Sequence, residues 1–298
     1  MCGIVGIFLK DPKLEPELGA MLASMLCVMT DRGPDSAGFV VYGQGDAGHV
    51  KLSLRATEGY DFQGLANSLS LSSGGTPKLT VRSTHAVIEV PADHEAEVRA
   101  ALARHPDVAV VGSGTRMEIF KETGLPRDVA ARFDLSKMSG THGIGHTRMA
   151  TESAVTTAGA HPFSTGADQC LVHNGSLSNH NDLRRALKRE GIAFATDNDS
   201  EVAAGYLTWR MRQGASLGEA LEAGLKDLDG FFTFVVGTES GFGVLRDPIA
   251  CKPAVMAETD RYVAFGSEYR ALVDLPGIAN AKVFEPEPAT VYFWDRAA

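Results

Sequence analysis

Cys2 stands directly behind Met1 and directly ahead of the glycine-punctuated apolar run Gly3 to Phe8. A small residue in second place admits removal of Met1, and that removal leaves one residue carrying both a thiol and a free α-amine. The amine has a reference pKa of about 8 and the thiol one of about 8.5. Near neutral pH the unprotonated amine can therefore take the thiol proton, directly or through a water, without a separate histidine base. Such a nucleophile needs a rigid strand behind it, a grip on its substrate and donors aimed where an oxyanion develops. Cysteine is also among the most often buried residue types, so a packing role is the plain alternative.

Candidate grips follow downstream. In GIGHTRMAT, Arg148 offers a planar fork suited to a carboxylate, with Thr147 and Thr151 beside it. In LVHNGSLSN, Asn174 and Gly175 can aim a side-chain amide and a closely approaching backbone N–H at one point. TDNDSEV sets acids just before a helix, and Asp199 is the best placed of them to hold an ammonium group. Each has a structural use as well: a surface ion pair for Arg148, a type I′ turn for Asn174–Gly175, an N-cap for Asp199. His142 and His146 stand four apart, with His161 and His173 downstream, and raise metal binding as a rival. An i,i+4 pair needs a helix to present both rings, and GTHGIGHTR with its three glycines is a poor one, so no metal is expected. Redox sensing by Cys2 would need a resolving cysteine nearby. Cys27, Cys170 and Cys251 instead read as packing residues in apolar surroundings.

Positioning these groups requires a particular set of elements. The opening strand covers roughly Gly3 to Phe8, and a helix fits Leu18, Met21, Leu22, Met25, Leu26 and Met29 on one face. The breaker cluster TDRGPDSAG and the strand FVVYG come next. From Gln44 to about Gly140 the character changes. VIEVPADHEAEVRAALARHPDVAVVGSG reads as strand, helix, strand, with Asp93 as N-cap and the closing GSG as a turn. Further helices fall near Asn181 to Glu190, with Gly191 as C′ residue, and from about Ser200. Ser216 and Glu219 have capping-box spacing for a third. The strands FFTFVVG, FGVLR, YVAFGS and VYFW close the chain. Hairpin-like strands segregated from helices predict an α+β fold with antiparallel sheets.

In order, MCGIVGIF, DRGPDSAG, GHTRMAT, HNG and DSE, followed by RDPIACKP (Arg246 to Pro253) and FGSE (Phe265 to Glu268), resemble the class II glutamine amidotransferases. The resemblance covers residues 2–43 and roughly 140–298. It implies a four-layer αββα sandwich of the N-terminal nucleophile hydrolases, here a single domain over 1–298 with a βαβ-type subdomain inserted at about 44–140. It also implies roles. Cys2 is nucleophile and, through its amine, general base; Asn174 and Gly175 build the oxyanion hole. Arg148 binds the glutamine α-carboxylate with Thr151 nearby, Asp199 binds the α-ammonium, and Arg32 supports the nucleophile's loop. The chain departs from many relatives at Met149, where they carry Trp, and at Glu152, where His is frequent. Both positions belong to the loop that covers glutamine.

The totals narrow the partners. The chain has 298 residues, 44% of them hydrophobic and 22% charged, with a net charge of −9 and no basic run interleaved with aromatics. Nucleic acid is therefore an unexpected partner. No apolar stretch approaches a membrane span, and a signal peptide's basic and apolar regions are missing. The four cysteines have no CxxC spacing and fit a reducing cytoplasm. No dinucleotide or phosphate-loop spacing occurs, so no cofactor is expected. A free glutaminase would waste glutamine, and nothing here reads as a synthase. The chain is similar to the separate amidotransferase subunit of glutamate-synthase-like enzymes, including N-methylglutamate synthase, and Thr151 to Phe163 (TESAVTTAGAHPF) carries that likeness. The resemblance implies flavin-bearing and β-helical partner chains, with the insert contacting them or shaping an ammonia exit. The alternative is a non-catalytic structural or regulatory subunit of the same fold.

Overall fold

A computed structural model describes residues 2–69, 76–150 and 154–296. The chain begins with β1 (Gly3–Leu9), α1 (Leu18–Val28) and β2 (Ser36–Tyr42). A second group follows: β3 (His49–Arg55), α2 (Phe62–Ser68), β4 (Lys78–Arg82), β5 (His85–Pro91), α3 (Glu95–Leu102) and β6 (Ala109–Gly114). Then come β7 (Met117–Thr123), α4 (Pro126–Arg132), β8 (His142–Arg148), β9 (Phe163–Gly166) and β10 (Gln169–Leu177). Three helices, α5 (His180–Arg189), α6 (Asp199–Arg212) and α7 (Leu217–Asp227), precede β11 (Gly230–Gly237) and β12 (Gly241–Arg246). The last strands are β13 (Val255–Glu258), β14 (Tyr262–Gly266), β15 (Lys282–Phe284) and β16 (Thr290–Asp295).

Two antiparallel sheets stack face to face. One has the order β15-β13-β14-β1-β8-β2-β7 and the other β16-β12-β11-β10-β9. Period-2 alternation sorts the side chains of β1. Ile4 and Phe8 join Val40, Ile144, Val172, Val235, Phe242 and Val244 between the sheets, while Val5, Ile7 and Leu9 pack outward against α1. On the far side, Leu171, Phe234 and Leu245 meet Val202, Tyr206 and Leu221 of the helices. Helices, sheet, sheet, helices: this is the four-layer αββα arrangement that the motifs imply. Gly6 keeps the layers close, since a Cβ there would sit 3.0 Å from the Phe242 ring. Helix ends follow local chemistry. Ser216 and Glu219 form a reciprocal capping box, with Glu219 accepting from Ser216 N–H at 2.8 Å, and Gly191 ends α5 at a φ of +79°.

The second group is a unit of its own. Its sheet has the order β4-β5-β3-β6, and β3 lies antiparallel to both β5 and β6. That makes β5-α3-β6 a split βαβ within a βαββαβ, ferredoxin-like arrangement. Leu52, Leu54, Ile88 and Val90 pack against Phe62, Leu65, Val98 and Leu102 of the two helices. The sheet ends at Gly114, short of the expected boundary near 140, because β7 pairs with β2 in the large sheet. GSG lies inside β6 instead of in a turn. A 3-10 turn over Ala92–His94 intervenes before α3, so Asp93 is not its N-cap. The unit leaves and rejoins the large sheet at one point, where Gly43 N–H donates to Arg116 O at 3.0 Å. Among the described residues, no helix is long and apolar enough to cross a membrane.

Candidate active site

Cys2 lies at the end of β1, half-buried, with Sγ 3.8 Å from Met149 O. Its carbonyl is held from two sides, by Arg32 Nε at 2.9 Å and by Asn174 Nδ2 at 3.2 Å. The same amide nitrogen donates to Ser267 Oγ at 3.3 Å, and Ser267 Oγ accepts the Ile4 N–H at 2.9 Å. What orients the amide is His146, whose Nε2 lies 3.1 Å from Asn174 Oδ1 and 3.2 Å from His173 O. Burial pushes His146 down to about 3, so the ring is neutral. With two oxygen acceptors at Nε2, the ring proton belongs there. Asn174 therefore turns its oxygen toward β8 and its NH2 toward Cys2.

The DRGPDSAG loop clamps the strand ends. Arg32, buried, reaches Cys2 and also donates to Glu268 Oε1 at 2.6 Å, which holds that carboxyl below its ordinary range. Gly33 passes so close to β8 that a Cβ would fall 2.5 Å from Arg148 N. Asp35 N–H donates to Arg148 O at 3.1 Å, and its carboxylate accepts the Ala150 N–H at 2.8 Å. One short loop thus fixes both Cys2 and the exit of β8, where Arg148 stands. The Arg148 guanidinium donates to Ala154 O at 3.4 Å.

The opposite wall is the start of α6. Asn198, not Asp199, is the N-cap, accepting Ser200 N–H at 2.8 Å. Asp199 is free of capping and accepts the Leu177 N–H at 2.9 Å through Oδ2. Glu201 ties down Ala195 and Thr196 through their N–H groups, both at 2.8 Å. Ser200 Oγ lies 2.9 Å from both His173 Nδ1 and His161 Nε2. His161 stacks on His146 at 4.0 Å between centroids. Burial keeps His161 and His173 below their ordinary range, an effect the Asp199 carboxylate opposes at His173.

These walls enclose a cleft of about 920 Å³ lined by Cys2, Arg148, Asn174, Gly175, Asp199 and Lys252, among others. Asn174 and Gly175 are inside β10, paired with Thr233 and Phe232, and so are not a type I′ turn. Gly175 has a φ of +146°, and a Cβ there would fall 2.0 Å from Phe231 O. Only glycine fits. Thr151 and Glu152 lie outside the described residues. His142 is a core histidine, stacked on Tyr42 at 4.0 Å with Nε2 2.8 Å from Thr238 O. Cys170 is buried, but Cys251 is exposed. Asp247 accepts the Ile249 and Ala250 N–H groups, and that turn leaves Cys251 on its outer side.

A family described as glutamine amidotransferase domain matches residues 146–274. A glutamine amidotransferase-like protein GlxB of Rhizobium meliloti (strain 1021) is 66% identical over 99% of this chain and 98% of its own length. A putative glutamine amidotransferase of Methanothermobacter thermautotrophicus is 34% identical over 98% of this chain and 99% of its own. The chain belongs to the class II glutamine amidotransferases. Its fold is also that of a glutamine phosphoribosylpyrophosphate amidotransferase from B. subtilis, at a TM-score of 0.62 and 20% identity. That match covers 99% of this chain and 47% of that structure, so the chain spans about half of its length.

Within this amidotransferase, sequence reasoning did not find His146, Ser200, Ser267 or Asp35 as parts of the site. From the sequence His146 reads only as a possible metal ligand, and Ser267 lies in FGSE, a run that carries the family likeness but names no role. Both act across the sheets, through partners more than 20 residues away in sequence.

Proposed function

We propose that this chain hydrolyses the side-chain amide of glutamine on Cys2. Arg148 pairs with the substrate α-carboxylate, a role the family resemblance shares out to Thr151 as well, and Asp199 takes the α-ammonium. With Met1 removed, the Cys2 amine accepts the thiol proton as Sγ attacks the amide carbon. The oxyanion that forms takes an Asn174 Nδ2–H now given to Cys2 O, together with the Gly175 N–H. Collapse breaks the C–N bond. The amine's proton goes to the leaving nitrogen, and ammonia departs from a γ-glutamyl thioester. A water then gives its proton to the same amine, attacks the thioester and releases glutamate and the thiol. No cofactor enters these steps.

The observation that carries this reading is the Asn174 amide, turned by His146 to face Cys2 in a cleft that also holds Arg148 and Asp199. The ammonia needs an acceptor. The two relatives named above match this chain over 98% and 99% of their own lengths. We assign the acceptor to separate glutamate-synthase-like chains in the cytoplasm, flavin-bearing and β-helical, as in N-methylglutamate synthase. The rival, a non-catalytic subunit, draws on Met149, 37% exposed beside Arg148 where many relatives carry Trp, and on Glu152 in place of a frequent His. Glutamate release from glutamine is the test, with intact mass of the native N-terminus. Release that disappears in Cys2→Ala supports the hydrolase. Equal behaviour of the two proteins defeats it, and full activity with Met1 retained defeats the amine as base. A pull-down from the source cell identifies the acceptor chain.

A further inference from the structure

The stretch that returns from Arg148 toward β9 contributes Ala154, Thr156, Ala158, Gly159 and His161 to the cleft wall. It is held from behind by two consecutive residues of β7. Lys121, buried, donates through Nζ to Ala160 O at 2.8 Å, Pro162 O at 3.2 Å and Ala158 O at 3.3 Å. The ammonium also lies 4.6 Å from the centre of the Phe163 ring. Gly38, opposite Lys121 on β2, makes room for this. A Cβ there would fall 2.2 Å from His161 O and 2.5 Å from Lys121 Cβ.

Glu122 faces the other way and joins two distant pieces of chain. One oxygen, Oε1, accepts the Thr157 hydroxyl and the Thr123 N–H. The other, Oε2, accepts the Thr84 hydroxyl at 3.0 Å and lies 3.9 Å from Arg132 Nη1. Thr84 is at the tip of the β4–β5 hairpin, where Arg82 pairs with His85 across a two-residue turn. Thr84 and Glu122 are buried, and neither lines the cleft. Both oxygens belong to one rigid carboxylate, so a turn of the group that follows one hydroxyl changes the geometry of the bond to the other.

We propose that Glu122 and Lys121 are positioning residues through which the βαββαβ unit sets the placement of the cleft wall at 154–162. This rests on the glutamine reading above, because that wall adjoins Arg148, the group assigned to the substrate carboxylate. A shift of the hairpin tip moves Thr84, re-aims Glu122 and releases Thr157. The effect falls on how well glutamine is gripped, not on the chemistry at Cys2. The unit thereby becomes a handle on substrate affinity.

The test uses the full chain and glutamate release as readout, comparing wild type with Thr84→Val, Thr157→Val, the double variant and Thr84→Ser. Each valine variant is expected to raise the KM for glutamine roughly three- to tenfold while kcat stays within about twofold. The double variant should be no worse than the worse single one, since both act through one carboxylate. Thr84→Ser, which keeps the hydroxyl, should restore the KM. Should Thr84→Val fail to fold, Glu122→Gln carries the same expectation, a raised KM at nearly constant kcat. An unchanged KM in the folded Thr84→Val or Glu122→Gln protein, or independent, multiplying effects in the double variant, overturns the proposal. A wild type that releases no glutamate defeats the hydrolase reading instead.

Discussion

At Cys2 the main-chain carbonyl carries more of the site's order than the thiol does. Arg32 and Asn174 both donate to it, and each answers to a second anchor, Glu268 or His146. Asn174→Ala should lower kcat for glutamate release by about 10²–10³ with little change in KM, the signature of a lost oxyanion donor. Buried histidines set the pH response. Burial holds His85, His142 and His146 to about 3 each. Their unfolded value is near 6.5, so the unfolded chain binds more protons throughout the interval between. Stability should be fully present above pH ~6.5 and fall steadily as pH drops toward 3, read as a declining urea midpoint. Chemistry-bearing types were legible along the chain: Cys2, Arg148, Asn174 and Asp199 each sit in a short run of unusual residues. Their orienters were not. His146 and Ser267 become informative only once β1 lies between β8 and β14, a pairing that nothing local announces.

At the scale of elements, glycines decide where strands can touch. Gly175→Ala places a methyl 2.0 Å from Phe231 O at a φ of +146°. It should destabilise the fold by more than about 2 kcal/mol, measured as a fall in the denaturation midpoint, because β10 and β11 must part to admit it. The capping box makes a milder case, and Ser216→Ala should remove about 1 kcal/mol by the same measurement while leaving glutamate release unchanged. Long periodic elements such as α1 and the buried strands β1, β11 and β12 were readable because spacing alone fixes their faces. Short pieces were not: β13 and β15, with four and three residues, owe their existence to neighbours in the sheet. The boundary of the inserted unit, expected near 140 and found at Gly114, is hidden for the same reason. β7 reads as part of the changed stretch, and only its pairing with β2 returns it to the large sheet.

For the whole molecule, the adjacency of Gly43 and Arg116 makes the βαββαβ unit separable. Replacing residues 44–115 by Asn-Gly should join β2 and β7 as a hairpin and leave the αββα body folded. It should melt lower, because Val87 of the unit packs into the cluster around Phe120 and Phe133. Circular dichroism and a thermal scan check both statements. The order of the chain adds something else. Asn174 and Ile4 both lean on Ser267, and β1 is flanked by β14, so the first residues meet their last supports only near the far end of the polypeptide. A nascent chain of two hundred residues already holds Cys2, Arg148, Asn174 and Asp199 but not yet Ser267. Under the proposed chemistry, turnover of glutamine is expected to wait until synthesis has passed that serine and β14 can close beside β1.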